Sequence, residues 1–208
     1  MKSLTMAADA RRDGAHGTGA ASFAHASVLL FAAMAVAMQF LRTDLDPVAA
    51  QLSAYLVGDY GVLLRGSYYL LGAGIVALAF AGRTAAHEAP LRDATALLFA
   101  LAGIALPPVA VTQLYVPDDT ARLVHGLCAQ TVFLSISAAL LLQAIAWKSI
   151  ARFAHLARTR VALAAACVAT LALNLAHLPL PRGATQKLLI TLIVVALAWS
   201  SRTLARKP

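Results

Sequence analysis

Six apolar runs constrain this chain more than any other feature: residues 22–41, 63–81, 94–115, 122–147, 161–178 and 187–201. A helix rises about 1.5 Å per residue, so about 20 residues cross about 30 Å of hydrocarbon. The sequence is 61% hydrophobic and only 12% charged, with a mean hydropathy of +0.76. Soluble domains are about 45–50% apolar and about 25% charged. One globular core of this length cannot hide that excess, so lipid must cover part of it. The expected fold class is therefore all-α: a polytopic membrane protein with six transmembrane helices.

The net charge of +8 raises nucleic acid as a partner. The basic residues stand at the ends of apolar runs, not on a face interleaved with aromatics, so no nucleic-acid partner is expected. Retention of Lys and Arg on the cytoplasmic side accounts for them better. With both termini placed in the cytoplasm, the tails and the second and fourth loops hold 12 of the 17 basic residues. Asp44, Asp46, Asp59, Asp118 and Asp119 fall on the opposite side. Carboxylates do little to set topology, so that asymmetry asks for another cause. The expected site is a bacterial inner membrane with the lipid bilayer as partner; protein partners are not legible.

Residues 1–21 are rich in Gly and Ala with scattered charge and read as a disordered cytoplasmic tail; residues 22–202 form the six-helix domain and 203–208 a basic tail. The first run also admits a signal-peptide reading, with Ala35-Val36-Ala37 as the cleavage site. Its full spanning length and the tail before it favour an uncleaved anchor. Cys128 and Cys167 lie inside apolar runs with no partner at metal or redox spacing, so they read as packing residues. No internal repeat is visible.

Residues 42–69 form the longest polar-bearing interval and are expected to cap one mouth of the bundle. Asp46 before Pro47 is a helix-start signal. Val48, Leu52, Tyr55 and Leu56 follow at helical spacing. A short amphipathic helix at the interface is expected there, its tyrosines at headgroup level. Gly58-Asp59-Tyr60-Gly61 reads as a turn. Gly72 and Gly74 permit close helix contact. Pro107-Pro108 should kink or break the third span.

Three segments together carry a family pattern: DPVAAQLSAYLVGDYGVLLRGSYYLLG, VPDDTARLVHGLCAQTVF and GATQKLLITLIVVALAW. The chain resembles the bacterial six-span membrane proteins grouped as the domain of unknown function family numbered 998. The family's S-x-Y-x-x-G element falls on Ser53, Tyr55 and Gly58, its P-x-D motif on Pro117 and Asp119, and its H-G pair on His125 and Gly126. Gln186-Lys187 stands where the family often has Gln-Arg, which keeps the charge and loses bidentate geometry. The resemblance implies a six-helix fold and no established reaction, substrate or cofactor.

Threading puts Asp46, Ser53, Asp59, Arg65, Asp119, Arg122 and His125 on one side of the membrane, with Asp118 and His177 nearby. These seven are the candidate ligand-binding residues. The leading expectation is binding or transport of a small molecule or lipid in an outward-facing polar pocket, with carboxylates accepting, arginines donating and His125 sensing pH. Each residue also has a plainer role: Asp46 as a helix cap, the arginines as interface anchors, His125 as a lock onto a carbonyl. A lipid hydrolase or transferase is the alternative, with Ser53 attacking, His125 as base and Asp119 orienting it. No G-x-S-x-G elbow supports that alternative. A structural or assembly subunit needs no site at all. His125 and His177 lack a third histidine at their depth, because His25 and His155 belong at the other face. Neither a metal nor a cofactor is expected.

Overall fold

The computed structural model describes residues 2–86, 89–115, 117–176 and 180–206, with residues 2–15 as backbone only. The described chain is helical. The elements are α1 (Lys2–Leu41), α2 (Gly61–Ala85), α3 (Arg92–Thr112), α4 (Asp119–Ala146), the single turn α5 (Ala151–Ala154), α6 (Ala157–Leu175) and α7 (Arg182–Ala205). Six segments have the length and apolarity to cross a membrane: His16–Leu41, Gly61–Ala85, Arg92–Tyr115, Asp119–Ser149, Ala157–Leu175 and Arg182–Ala205. Each matches one apolar run of the sequence. The backbone of α1 continues as helix back to Lys2, through residues expected as a disordered tail; alanine, methionine and arginine there are strong helix formers.

The spanning helices close into a ring. Each packs on its neighbour in the order α1, α2, α3, α4, α6, α7, and α7 returns to α1. Small residues set the tightest crossings. A Cβ on Gly72 would lie 2.7 Å from the Gly103 carbonyl oxygen, and one on Gly103 would lie 2.6 Å from the Gly72 oxygen. Helices α2 and α3 therefore touch backbone to backbone. Gly74 makes room for a side chain of α1, its absent Cβ falling 2.7 Å from the Ser27 Cβ. Pro107 and Pro108 do not break α3, which runs on to Thr112 before a short 3₁₀ turn at Gln113–Tyr115. The Thr112 hydroxyl donates one turn back to the Pro108 carbonyl at 2.6 Å, the local bond threonines make in helices.

The interval between α1 and α2 does form a cap, though not as an amphipathic helix. Asp46 makes a tight turn by accepting from the Val48 and Ala49 amides at 2.7 and 3.2 Å. A 3₁₀ turn follows over Leu52–Leu56, and it points Leu52, Tyr55 and Leu56 into the protein. Tyr55 is 0% exposed, so its ring packs on protein. Burial pushes its phenol pKa up. Leu52, Tyr55 and Leu56 of the apolar stripe face the ring interior, which is the larger apolar surface on offer, while Val48 stays exposed.

Four side chains pin this cap. Arg42 holds Asp44 through two bonds of 2.7 Å and also donates to the Val57 carbonyl. Arg65 donates to the Leu56 carbonyl. Gln186 accepts from the Leu52 amide at 3.0 Å. Lys187 donates to the Gln39 side-chain oxygen and the Pro47 carbonyl, both at 2.7 Å, beneath the Tyr55 ring. Gly183 admits the cap onto α7: a Cβ there would meet the Ala49 and Ala50 oxygens at 2.5 Å.

At the other end of the ring, Arg160 is buried with 6% exposure. Its guanidinium lies 3.6 Å from the centre of the Trp147 ring. It donates to the Ser200 and Thr203 hydroxyls at 3.4 and 3.0 Å. Trp147 in turn stacks on Phe153. This cluster welds the α4–α6 connection to α7.

Candidate functional site

His125 is placed by the end of α3. The last four carbonyls of a helix lack amide partners, and Val109 is among them. His125, in the second turn of α4, accepts that vacancy: its Nδ1 lies 3.0 Å from the Val109 oxygen. A carbonyl only accepts, so Nδ1 carries the proton and donates. The Thr112 hydroxyl is also near, at 3.5 Å. Nε2 of the neutral ring is then a lone-pair acceptor, and no protein group bonds to it among the described residues.

Two cavities meet at this ring. The first, of about 60 Å³, lies in the centre of the bundle below the cap and is walled by aliphatic and aromatic side chains from α1, α2, α3, α4 and α7. Phe31, Tyr68, Leu106, Val132 and Ile193 are typical of its wall. The second, of about 210 Å³, lies between the cap, α4, α6 and α7 and has a mixed wall, with Gln51, Gln130, Asn174 and Arg182 beside Phe133, Leu171 and Leu175. Ser53, His125, Ala129, Phe133 and Gln186 border both. These five form a throat between a vestibule that carries polar groups and an apolar chamber.

The throat groups have unspent hydrogen-bonding capacity. Ser53 makes no side-chain bond among the described residues. Gln186 spends its oxygen on the Leu52 amide, which leaves its amide NH₂ unspent. Asn174 is occupied: it donates to the Thr170 and Thr185 carbonyls at 3.1 and 3.0 Å. The outer half of α4 leaves the cleft accessible. From Asp119 to Thr131 no residue of α4 is buried, and α4 makes few contacts with α7.

Of the seven candidate residues, the structure brings Ser53 and His125 together on these walls. The other five are not among the residues lining either cavity. Asp46 is spent on the turn at Val48, and those amide bonds hold its carboxyl below the usual range. Arg65 is spent on the Leu56 carbonyl. Asp59 is exposed at the cap surface. Asp119 is 92% exposed at the start of α4 and pairs with Arg122 one turn on, at 3.2 Å. Asp118 caps α4 through the Ala121 amide at 2.9 Å. His177 lies outside the described residues. The aspartates share a side of the bundle because they start and turn its segments, which explains their asymmetry without a ligand.

Sequence reasoning passed over Gln51, Gln130, Asn174, Arg182 and Gln186 as site residues. The available signal was amide side chains standing within or beside apolar runs, where a polar group is costly unless it faces a partner or a cavity. Lys187, the neighbour of Gln186, is a structural staple and not an anion ligand, since its ammonium is already committed to two oxygens.

No curated protein and no solved structure matches the chain. Residues 25–203 match the family described as "Protein of unknown function (DUF998)". That match takes in all or most of each of the six spanning helices and the throat itself, and the chain belongs to this family.

Proposed function

We propose that this membrane protein binds an amphiphile, a lipid or lipid-like small molecule, in the cap-side cleft and either holds it or passes it along. One observation carries the reading: a cavity that carries polar groups and an apolar cavity share a throat made by Ser53, His125 and Gln186. A ligand with a polar end and an apolar end matches that pair of environments. The loosely packed outer half of α4 supplies a side entrance of the kind a bilayer ligand needs. On this reading the cleft faces away from the cytoplasm. The basic loops and both termini lie on the cytoplasmic side of a bacterial inner membrane, as the excess of Lys and Arg there directs.

The lipid hydrolase reading lacks its central contact. No Ser53–His125 hydrogen bond forms among the described residues, so the serine has no bonded base in this arrangement.

The test is lipid retention. The protein is purified in nanodiscs and its bound species are counted by native mass spectrometry. Ala129→Trp fills the throat and is expected to expel a species that the wild type holds. Leu123→Trp, on the exposed face of α4, is expected to keep it. Equal retention by both variants, or a wild type with nothing bound, defeats the proposal.

A further inference from the structure

The throat carries information about the ligand's chemistry, and the argument here rests on the amphiphile reading of the cleft. The three polar groups in the throat form a defined set. His125 presents Nε2 as an acceptor, because Nδ1–H is fixed by the Val109 carbonyl at 3.0 Å. Gln186 presents an NH₂ donor, because the Leu52 amide at 3.0 Å fixes its oxygen as the acceptor. Ser53 presents a hydroxyl that either donates or accepts. Among the described residues no carboxylate lines either cavity, so a cationic group meets no counter-charge from them and a positive imidazole meets none either. Arg182 belongs to the wider cavity and not to the throat. An ionised phosphate or carboxylate seated in the throat would press its oxygens against the Nε2 lone pair.

From this we infer that the group read at the throat is an uncharged hydroxyl, donating to His125 Nε2 and accepting from Gln186 or Ser53. The ligand class is a neutral hydroxyl-bearing amphiphile, such as a monoacylglycerol, with only the few carbons next to its head in the apolar chamber of about 60 Å³. Phe133 and Ala129 complete the throat and place apolar surface beside the bonded hydroxyl. A ligand that lacks one of the two roles leaves a throat partner unsatisfied where it covers that partner from water.

Three probes with one chain length test this in nanodiscs: monolauroylglycerol, its dimethyl ether and monododecyl phosphate at pH 8. Monolauroylglycerol is expected to bind at least about tenfold tighter than either of the others. Ser53→Ala is expected to weaken it about threefold or more without changing the melting temperature, since the Ser53 hydroxyl makes no bond among the described residues. His125→Phe checks the acceptor directly; its melting curve separates a lost bond from a lost fold. Equal or tighter binding of the ether or the phosphate overturns the hydroxyl inference and leaves the amphiphile site standing. Failure of all three to bind, with Ala129→Trp indistinguishable from wild type, overturns both.

Discussion

Gly72→Ala probes the closest helix contact in the ring. The added Cβ would sit 2.7 Å from the Gly103 oxygen, 3.4 Å from Pro107 Cδ and 3.5 Å from Leu106 Cβ. A carbon–oxygen contact is comfortable at about 3.3–3.6 Å, so α2 and α3 must part by roughly half an ångström or more. The nearest atom is backbone and cannot rotate away. A gap of that size forfeits a sizeable part of the dispersion energy along the interface; overpacking of this kind costs about 1–3 kcal/mol. Alanine returns up to about 1 kcal/mol through helix propensity. Gly66→Ala, in the same helix, isolates the steric part, because nothing lies within 4 Å of its added Cβ. Propensity acts on both variants and cancels, so Gly66→Ala should exceed Gly72→Ala in stability by about 1–3 kcal/mol. The assay is reversible unfolding in mixed dodecyl sulfate micelles, followed by far-ultraviolet circular dichroism. Gly103→Ala should match Gly72→Ala, and the double variant should cost less than the sum, since helices already parted accept the second methyl more easily. If Gly72→Ala unfolds with Gly66→Ala, the backbone contact does not hold the ring as argued.

Four further outcomes follow from the cap and the basic end. Lys187→Met removes two charge-assisted bonds to the cap, so a cysteine placed at Ser53 should react with a polar maleimide about tenfold faster; an unchanged rate means the staple is not Lys187. Gly183→Ala should produce the same exposure by a different route, because its Cβ collides with the Ala49 and Ala50 carbonyls; wild-type labelling would refute that. Arg160→Lys keeps the charge but loses the stack on Trp147, which should red-shift tryptophan emission and lower stability by about 1–2 kcal/mol; superimposable spectra would count against the weld. Asp44 is held below the usual carboxylate pKa by its bonds from Arg42. A depressed pKa contributes stability above the unfolded value near about 4, and that contribution is lost as pH falls through the folded value. Cap opening should therefore rise on acidification from about pH 5 in the wild type and be flatter in Asp44→Asn, and parallel profiles would argue against the pair.

The candidate site was legible only where chemistry and position coincided. His125 stood out because an ionisable group inside an apolar run is costly, and Ser53 because it stood in the cap interval. The aspartates carried the same kind of signal and belong to turns and helix starts, for a carboxylate that caps amides and one that meets a ligand look alike in one dimension. The amides of the cleft escaped notice for the opposite reason. Gln51, Gln130 and Gln186 are far apart along the chain, and only the ring closure between α4, α6 and α7 sets them on one wall.

Sequence alone determined the solvent and the element list. Apolar runs of spanning length admit few alternatives in a bilayer, because each backbone group must find its partner within its own helix. Even the positions of close contact at Gly72 and Gly74 were visible, since only a missing side chain allows them. Tertiary structure decided the rest. The apolar residues of 52–56 turned inward, because the open mouth of the ring offered Leu52, Tyr55 and Leu56 a buried surface and four long side chains to fasten them. The tautomer of His125 was decided by the last turn of α3, 16 residues away, whose Val109 carbonyl had no amide to accept from. Hydrophobic patterning is a property of each segment, whereas a cavity is a property of the surfaces that segments fail to cover, and only their packing reveals it.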